Sequence, residues 1–429
     1  MRIGLQTWGS EGDLRPFVAL AAGLSRAGQD VTLALSDVGG RDHSALAARH
    51  GFRVVHVPLP RPLTPEEGGE ILNAVIRAGE PAKAARLVQA RVFEPLTRPA
   101  FEAARELCAA ADLVVGHFCL HPLHAAAELA GTPLVKVHLA HNFLRSSELA
   151  APGLPDPCRW LRPLGWRLLA GAVNRLFLSR VNALRAEVGL PPQCDVLSQT
   201  WISRLLTLVA VSPAIRSAPS DWGPERHVCG FLNLPAEGEP EPMPEGLEEF
   251  LAAGDPPVYF TFGSMLPRDR DSLRETETIW LEAARLAGCR AVLQLPGLSA
   301  SSLGPDGSVF RVAFAPHSRV FPRCAAVAHH GGSGTTQASL LAGRPSVVVA
   351  HMADQFFWGA ELARLGAAGP GLKRLKLTSE QLARALKRVL DDPSMARRAS
   401  ELGAAMARED GVAEAVRRIS GFAAPFGGF

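Results

Sequence analysis

The segment at residues 329–343, HHGGSGTTQASLLAG, carries the densest chemistry in this sequence. The apolar run AAVA, suited to a buried strand, leads into two histidines and a glycine-hydroxyl turn, and a helix is expected from about Thr335. At such a junction the first helical N–H groups lack an intrahelical acceptor, and the helix dipole stands behind them. Small residues let an anion come close, and the hydroxyls of Ser333, Thr335 and Thr336 add donors. A phosphate or pyrophosphate is the guest this pattern suits, with tight packing as the competing use of the glycines. No GK[ST] triplet follows, which excludes a Walker A loop.

Further candidates stand at the ends of predicted strands. FGSM (262–265) places Ser264 at a carboxyl edge, where open α/β sheets bind ligands. In VAHMADQFFWGAEL (349–362), Asp354 and Gln355 precede a helix; an acceptor beside an amide suits the hydroxyls of a polyol, although an N-cap is the plainer use of Asp354. Phe314 and His317 follow another strand and could bring a ring and an imidazole to one edge, as a flat base requires, while Phe314 would serve equally in a core. Near the start, GSEGD sets Asp13 at a helix N-terminus. It is a cap, or else a general base whose proton affinity burial or a neighbour keeps useful. His117 ends the strand-like DLVVGH. Asp269 and Asp271 have metal-pair spacing but read more simply as a charged helix start, and His121 and His124 make a weak pair, so no metal is expected.

These residues need a frame to hold them. IGLQTW, the glycine turn, LRPFVALAAGLSRAG and DVTLAL form a β-loop-α-β unit, and the rhythm returns through LLTLVAVSPAI. The stretch LPAEGEPEPMPEG (234–246) has little to bury and marks a connector; a second α/β series follows from PPVYFTFGSM to the end. We therefore expect an N-terminal domain over 1–233, a connector over 234–256, a C-terminal domain over 257–410 and a tail over 411–429. The 429 residues are 47% hydrophobic and 20% charged, as in a soluble globular protein, and the net charge of +3 gives no support to wholesale nucleic-acid binding. Seven scattered cysteines without a CxxC argue against a disulfide framework and a zinc site. The start has no signal-peptide h-region and no stretch reaches 18 apolar residues, so a cytoplasmic protein is expected.

Taken together, GSEGDLRPFVALAAGL, FGS, APHSRVFPRCAAVAHHGGSGTT and GRPSVVVAHMADQFFWGAEL resemble the family 1, UDP-glycosyltransferase-like glycosyltransferases, especially bacterial members acting on antibiotics, sterols or lipids. The resemblance covers essentially the whole chain and is looser from about 140 to 230, where such enzymes build the acceptor pocket. It implies a GT-B fold, two facing Rossmann-like domains with the active site in the cleft between them. It also implies a tail that returns to the N-terminal domain. By the same resemblance His330, Gly332, Ser333, Gly334, Thr335 and Ser264 would meet the donor pyrophosphate, and Asp354 and Gln355 the sugar hydroxyls. Phe314 would stack on the base and His317 read its edge. Asp13 would be the general base, and an Asp13–His117 contact is expected because plant relatives carry a histidine and an aspartate with the types exchanged.

The implied reaction is an inverting transfer from a UDP- or dTDP-sugar to a hydroxyl of a hydrophobic acceptor, with no cofactor required. Ala338 stands where many relatives carry a carboxylate for the ribose, which leaves both nucleotides open. Phe143, Trp160 and Trp166 suggest an apolar acceptor wall for an antibiotic, polyketide, sterol or terpenoid. Arginines in the same stretch could instead meet an acyl carboxylate or the inner face of a membrane. The alternatives are a rhamnosyltransferase acting on a hydroxyacyl lipid and a noncatalytic nucleotide-sugar-binding protein.

Overall fold

The computed structural model describes residues 1–60, 65–77, 81–154, 158–234, 242–267, 269–295, 297–298, 301–352 and 354–422. Of the expected connector, residues 235–241 lie outside these, as do residues 423–429 of the expected tail. In chain order come β1 (Arg2–Gly9), α1 (Glu11–Arg26), β2 (Asp30–Asp37), α2 (Ser44–Arg49), β3 (Arg53–His56), α3 (Pro65–Arg77), α4 (Pro81–Val88) and α5 (Glu94–Ala110). They are followed by β4 (Leu113–His117), α6 (His121–Ala130), β5 (Leu134–His138), α7 (Arg162–Glu187), β6 (Leu206–Val209) and β7 (Arg226–Val228). Then come α8 (Leu247–Ala252), β8 (Val258–Thr261), α9 (Arg270–Ala287), β9 (Ala291–Gln294), β10 (Ser302–Leu303), β11 (Val309–Val312), α10 (His317–Val320) and β12 (Ala326–His329). The rest is α11 (Ser333–Leu341), β13 (Ser346–Ala350), α12 (Gln355–Arg364), β14 (Leu372–Lys373), α13 (Ser379–Leu390), α14 (Pro393–Met406) and α15 (Gly411–Ser420).

Two compact units emerge. The first holds Met1–Pro62, Val88–Leu234 and Glu409–Phe429; the second holds Leu63–Leu87 and Pro235–Arg408. In the first unit a seven-stranded, all-parallel sheet runs β3-β2-β1-β4-β5-β6-β7. Its strands are short apolar runs because helices cover both faces. Ile3, Leu5, Leu33, Val115 and Val137 pack with Phe17 and Leu20 of α1. Val412, Ala415 and Ile419, spaced along one face of α15, join the same core, so the last helix belongs to this unit.

The second unit repeats the plan with the order β10-β11-β9-β8-β12-β13-β14, all parallel except the β10–β11 pair. Val258, Phe260, Leu293, Ala328 and Val349 pack against Trp280 of α9 and Leu382 and Leu386 of α13. In both sheets the order reverses once, between β1 and β4 in the first and between β8 and β12 in the second. Neighbouring strands there send their connections to opposite faces, and it is outside the carboxyl ends of such strands that open α/β sheets bind ligands.

Candidate active site

At the reversal point of the first unit, β1 ends at Gly9 and α1 starts two residues later. Asp13 occupies the third helical position and reaches back, its Oδ2 accepting from the Ser10 amide at 3.0 Å and the Ser10 hydroxyl at 3.3 Å. One carboxylate oxygen therefore does cap the helix. The other, Oδ1, faces Nε2 of His117 at 3.8 Å, beyond a direct hydrogen bond. Gly9 makes this approach possible. Its φ is +122°, and a Cβ at that position would stand only 2.8 Å from Cγ of Asp13.

The two side chains differ in access. Asp13 keeps 37% of its side-chain surface open and His117 only 6%, so of the two only Asp13 can touch a substrate hydroxyl. Burial pushes the Asp13 carboxyl up to about 6, against the lowering effect of its two bonds from Ser10. Burial pushes His117 down to about 3, and His138 and Lys136 on the neighbouring strand add to the shift. The imidazole is thus neutral near pH 7, and the pair is a carboxylate beside a neutral ring rather than an ion pair.

Behind His117 lies a contact the sequence did not advertise. Its Nδ1 is 3.1 Å from Sγ of Cys119, and the same sulfur accepts the indole N–H of Trp8 at 3.1 Å. Lys136 is fully buried on β5, donates to the carbonyl of Leu120 at 3.1 Å, and is pushed down to about 7 by burial. His121 and His124 are largely buried too, and among the described residues no group of three or more His, Cys, Asp and Glu could hold a metal ion.

At the reversal point of the second unit, β8 pairs with β12 so that Thr261 is opposite His329. Ser264 lies in the tight turn Gly263–Met265 that follows β8, and His330 directly follows β12. The His330 ring sits against two glycine backbones: a Cβ on Gly332 would lie 3.0 Å from its Cε1, and one on Gly263 3.1 Å from the same atom. Gly332 is the N-cap of α11, which begins at Ser333, two residues ahead of the expected start. The extended backbone of Gly332, at ψ 144°, turns directly into the helix at Ser333. The amides of Ser333, Gly334 and Thr335 are its first turn. Burial holds His330 down at about 4, hence neutral. His351, not singled out from the sequence, stands edge-on to His330 with ring centroids 6.2 Å apart and bonds to the Val349 carbonyl at 2.9 Å.

Around this turn the other candidates take distinct places. Gln355 is buried, and its Oε1 accepts from the amides of His351 at 2.7 Å and Met352 at 3.2 Å, so the oxygen shapes the loop after β13. Asp354 stands at the N-cap position of α12. Phe314 is 45% exposed beyond β11 rather than in the core. His317 opens α10 and stacks on Phe321 at 4.2 Å. Asp269 caps α9 through the Ser272 amide at 2.9 Å, the helix-start role.

The expected acceptor wall divides into three. Phe143 stacks on Phe118 and meets Trp201 edge-on at 5.1 Å, within an aromatic cluster that also takes in Phe177. Trp166 is buried, and its N–H bonds to the carbonyls of Ser146 and Leu149 anchor the loop before α7. Trp160 is 77% exposed.

Two doubly wound sheets, each with polar side chains gathered outside its reversal point, make an α/β architecture of the kind that binds ligands at those points. The C-terminal domain of the Erythromycin biosynthesis protein CIII-like family matches residues 290–421. The chain is 32% identical over 446 residues to O-mycaminosyltylonolide 6-deoxyallosyltransferase of Streptomyces fradiae, covering 97% of this chain and 96% of that one. It is 29% identical over 440 residues to a sterol 3-beta-glucosyltransferase of Arabidopsis thaliana, covering 97% of this chain and 67% of the other. The structure of the glycosyltransferase VinC in complex with dTDP matches with a TM-score of 0.64 and 22% identity over 99% of both chains. The chain belongs to the family 1 glycosyltransferases of GT-B fold, which are nucleotide-sugar-dependent transferases.

Proposed function

We propose that this chain is an inverting transferase in which Asp13 removes the proton from an acceptor hydroxyl as that oxygen attacks the anomeric carbon of a UDP- or dTDP-sugar. The observation that carries this reading is the Asp13 carboxylate: one oxygen is fixed by Ser10, the other is turned to a neutral imidazole, and burial raises its proton affinity. A base poised near pH 6 is ionised at neutral pH yet still accepts a proton in the transition state. The bond from the anomeric carbon to the nucleotide oxygen breaks as the new one forms, and charge grows on the departing pyrophosphate. The first turn of α11, the neutral His330 and the hydroxyls of Ser264, Ser333 and Thr335 meet that charge. Asp354 and the NH2 of Gln355 hold sugar hydroxyls, and the exposed Phe314 with His317 receives the base. Ala338 packs against the core beneath α11, so no carboxylate there rewards a ribose 2′ hydroxyl and dTDP serves as well as UDP.

A hydrophobic, hydroxyl-bearing natural product or sterol is the acceptor class, supported by the names of the O-mycaminosyltylonolide and sterol transferases that the chain resembles. The protein incubated with UDP- and dTDP-sugars and pooled hydrophobic acceptors should give, by mass spectrometry, an acceptor heavier by one glycosyl residue. Tight donor binding with no product from any acceptor would overturn the reading in favour of a noncatalytic binder.

One surface favours a second, lipid-facing reading. Trp160, Leu164 and Leu168 are exposed, Arg167 and Arg175 share the side of α7 that carries the two leucines, and no acid interrupts the helix before Glu187. Such a face suits peripheral contact with an anionic membrane. Among the described residues no helix is long and apolar enough to cross one. Co-sedimentation with anionic vesicles that is unchanged in L164S/L168S would remove this reading.

A further inference from the structure

We propose that Cys119, supported by Trp8, is a positioning residue that fixes the proton of His117 on Nε2, the nitrogen that faces Asp13. The proposal rests on the reading of Asp13 as base and adds a chain of donors behind it. Trp8 is the next-to-last residue of β1, His117 is the last of β4, and Cys119 lies two residues beyond, so the pairing of β1 with β4 brings all three to the reversal point.

The direction of the chain follows from what each group can do. An indole N–H only donates, so the 3.1 Å contact from Trp8 makes the Cys119 sulfur an acceptor. The thiol remains protonated, since burial pushes it up to about 12 despite the bond from Trp8. Its single S–H therefore needs an acceptor, and Nδ1 of His117 stands 3.1 Å away. The reverse arrangement would give the sulfur two N–H donors, leave the S–H unused, and aim the lone pair of Nε2 at the Asp13 carboxylate. Both ends of the ring thus favour the same tautomer. In it Nε2, buried and otherwise without a hydrogen-bond partner among the described residues, directs its N–H toward Oδ1 of Asp13 at 3.8 Å.

The consequence is selective. The ring contributes a dipole that favours ionised Asp13 but no positive charge that would quench its basicity. The other groups facing this pair are Ser10 at the cap of α1, and Lys136 and His138 from β5, both pushed down by burial. The Lys136 amine is turned to the Leu120 carbonyl and the His138 ring to the Trp201 carbonyl at 2.8 Å, so neither supplies the proton that Nδ1 requires.

Imidazole 15N shifts of His117, assigned by loss in H117Q, report the tautomer in the unliganded protein. The expected result is a neutral Nε2–H ring in the wild type and a mixed or Nδ1–H ring in C119A. The acid limb of kcat/KM should move up by about half a pH unit in C119A. Cys119→Ser, whose hydroxyl also accepts and donates, should restore both readouts. An Nδ1–H tautomer in the wild type, or C119A with wild-type shifts and an unmoved acid limb, would overturn the proposal. The tautomer is read without turnover, so it stands or falls apart from whether Asp13→Asn proves Asp13 to be the base.

Discussion

Nε2 of His117 lies 3.8 Å from Oδ1 of Asp13, with the imidazole neutral and the carboxyl held near pH 6 by burial. The histidine brings no charge to the pair. What it brings is a buried polar ring beside a carboxylate that keeps 37% of its side-chain surface open.

The first consequence is a pH profile. Asp13 must be ionised to act, so kcat/KM should rise about tenfold per pH unit below pH 6 and level off above it. Stability runs the other way. A carboxyl whose folded pKa is raised contributes stability that is complete below its unfolded value near 4 and is lost as pH climbs through 6. Asp13→Asn should therefore melt higher than the wild type above pH 6, and this advantage should disappear toward pH 4. Paired melting curves across that window check the sign; an advantage that grows on acidification would contradict it.

Gly9→Ala should disable the site without touching a reacting group. The methyl would be forced into the space of the Asp13 side chain and strained by the positive φ. A loss of about 1–3 kcal/mol in stability is expected. Transfer should fall about 10²-fold, because a base displaced by an ångström no longer lines up with the hydroxyl. Initial rates at saturating donor measure this, and near-normal turnover would show that the approach of Asp13 to Gly9 is unimportant.

Much of this site was legible in the sequence because its signals are local. Glycines beside GSEGD and HHGGSG mark places where a backbone must come close to a side chain, and Asp13, Ser264 and His330 do stand outside reversal points of the sheets. Pairing between distant strands was not legible. Cys119 and Trp8 are 111 residues apart and meet only because β4 inserts beside β1. His351, just past the end of β13, and the buried Lys136 of β5 are polar letters in or beside short apolar runs, a pattern that carries no mark of function. Composition alone also could not separate Trp166, Trp160 and Phe143, whose environments are set by the turn before α7 and by the packing of Trp201.

His330→Ala should weaken donor binding by about tenfold or more and lower turnover by about 10²-fold, since it removes a donor to the leaving group. Because burial keeps His330 neutral down to about pH 4, its contribution should be the same at pH 6 and pH 8. Calorimetric titration with the nucleoside diphosphate at both values tests this; equal affinity in the variant would remove His330 from the donor site.

Single-turnover transfer in Asp13→Asn isolates the role of the base, because the variant keeps the shape and the cap of the side chain while removing its basicity. The rate should fall by about 10²–10⁴-fold, with donor affinity unchanged. Transfer at close to the wild-type rate with the fold intact would contradict it.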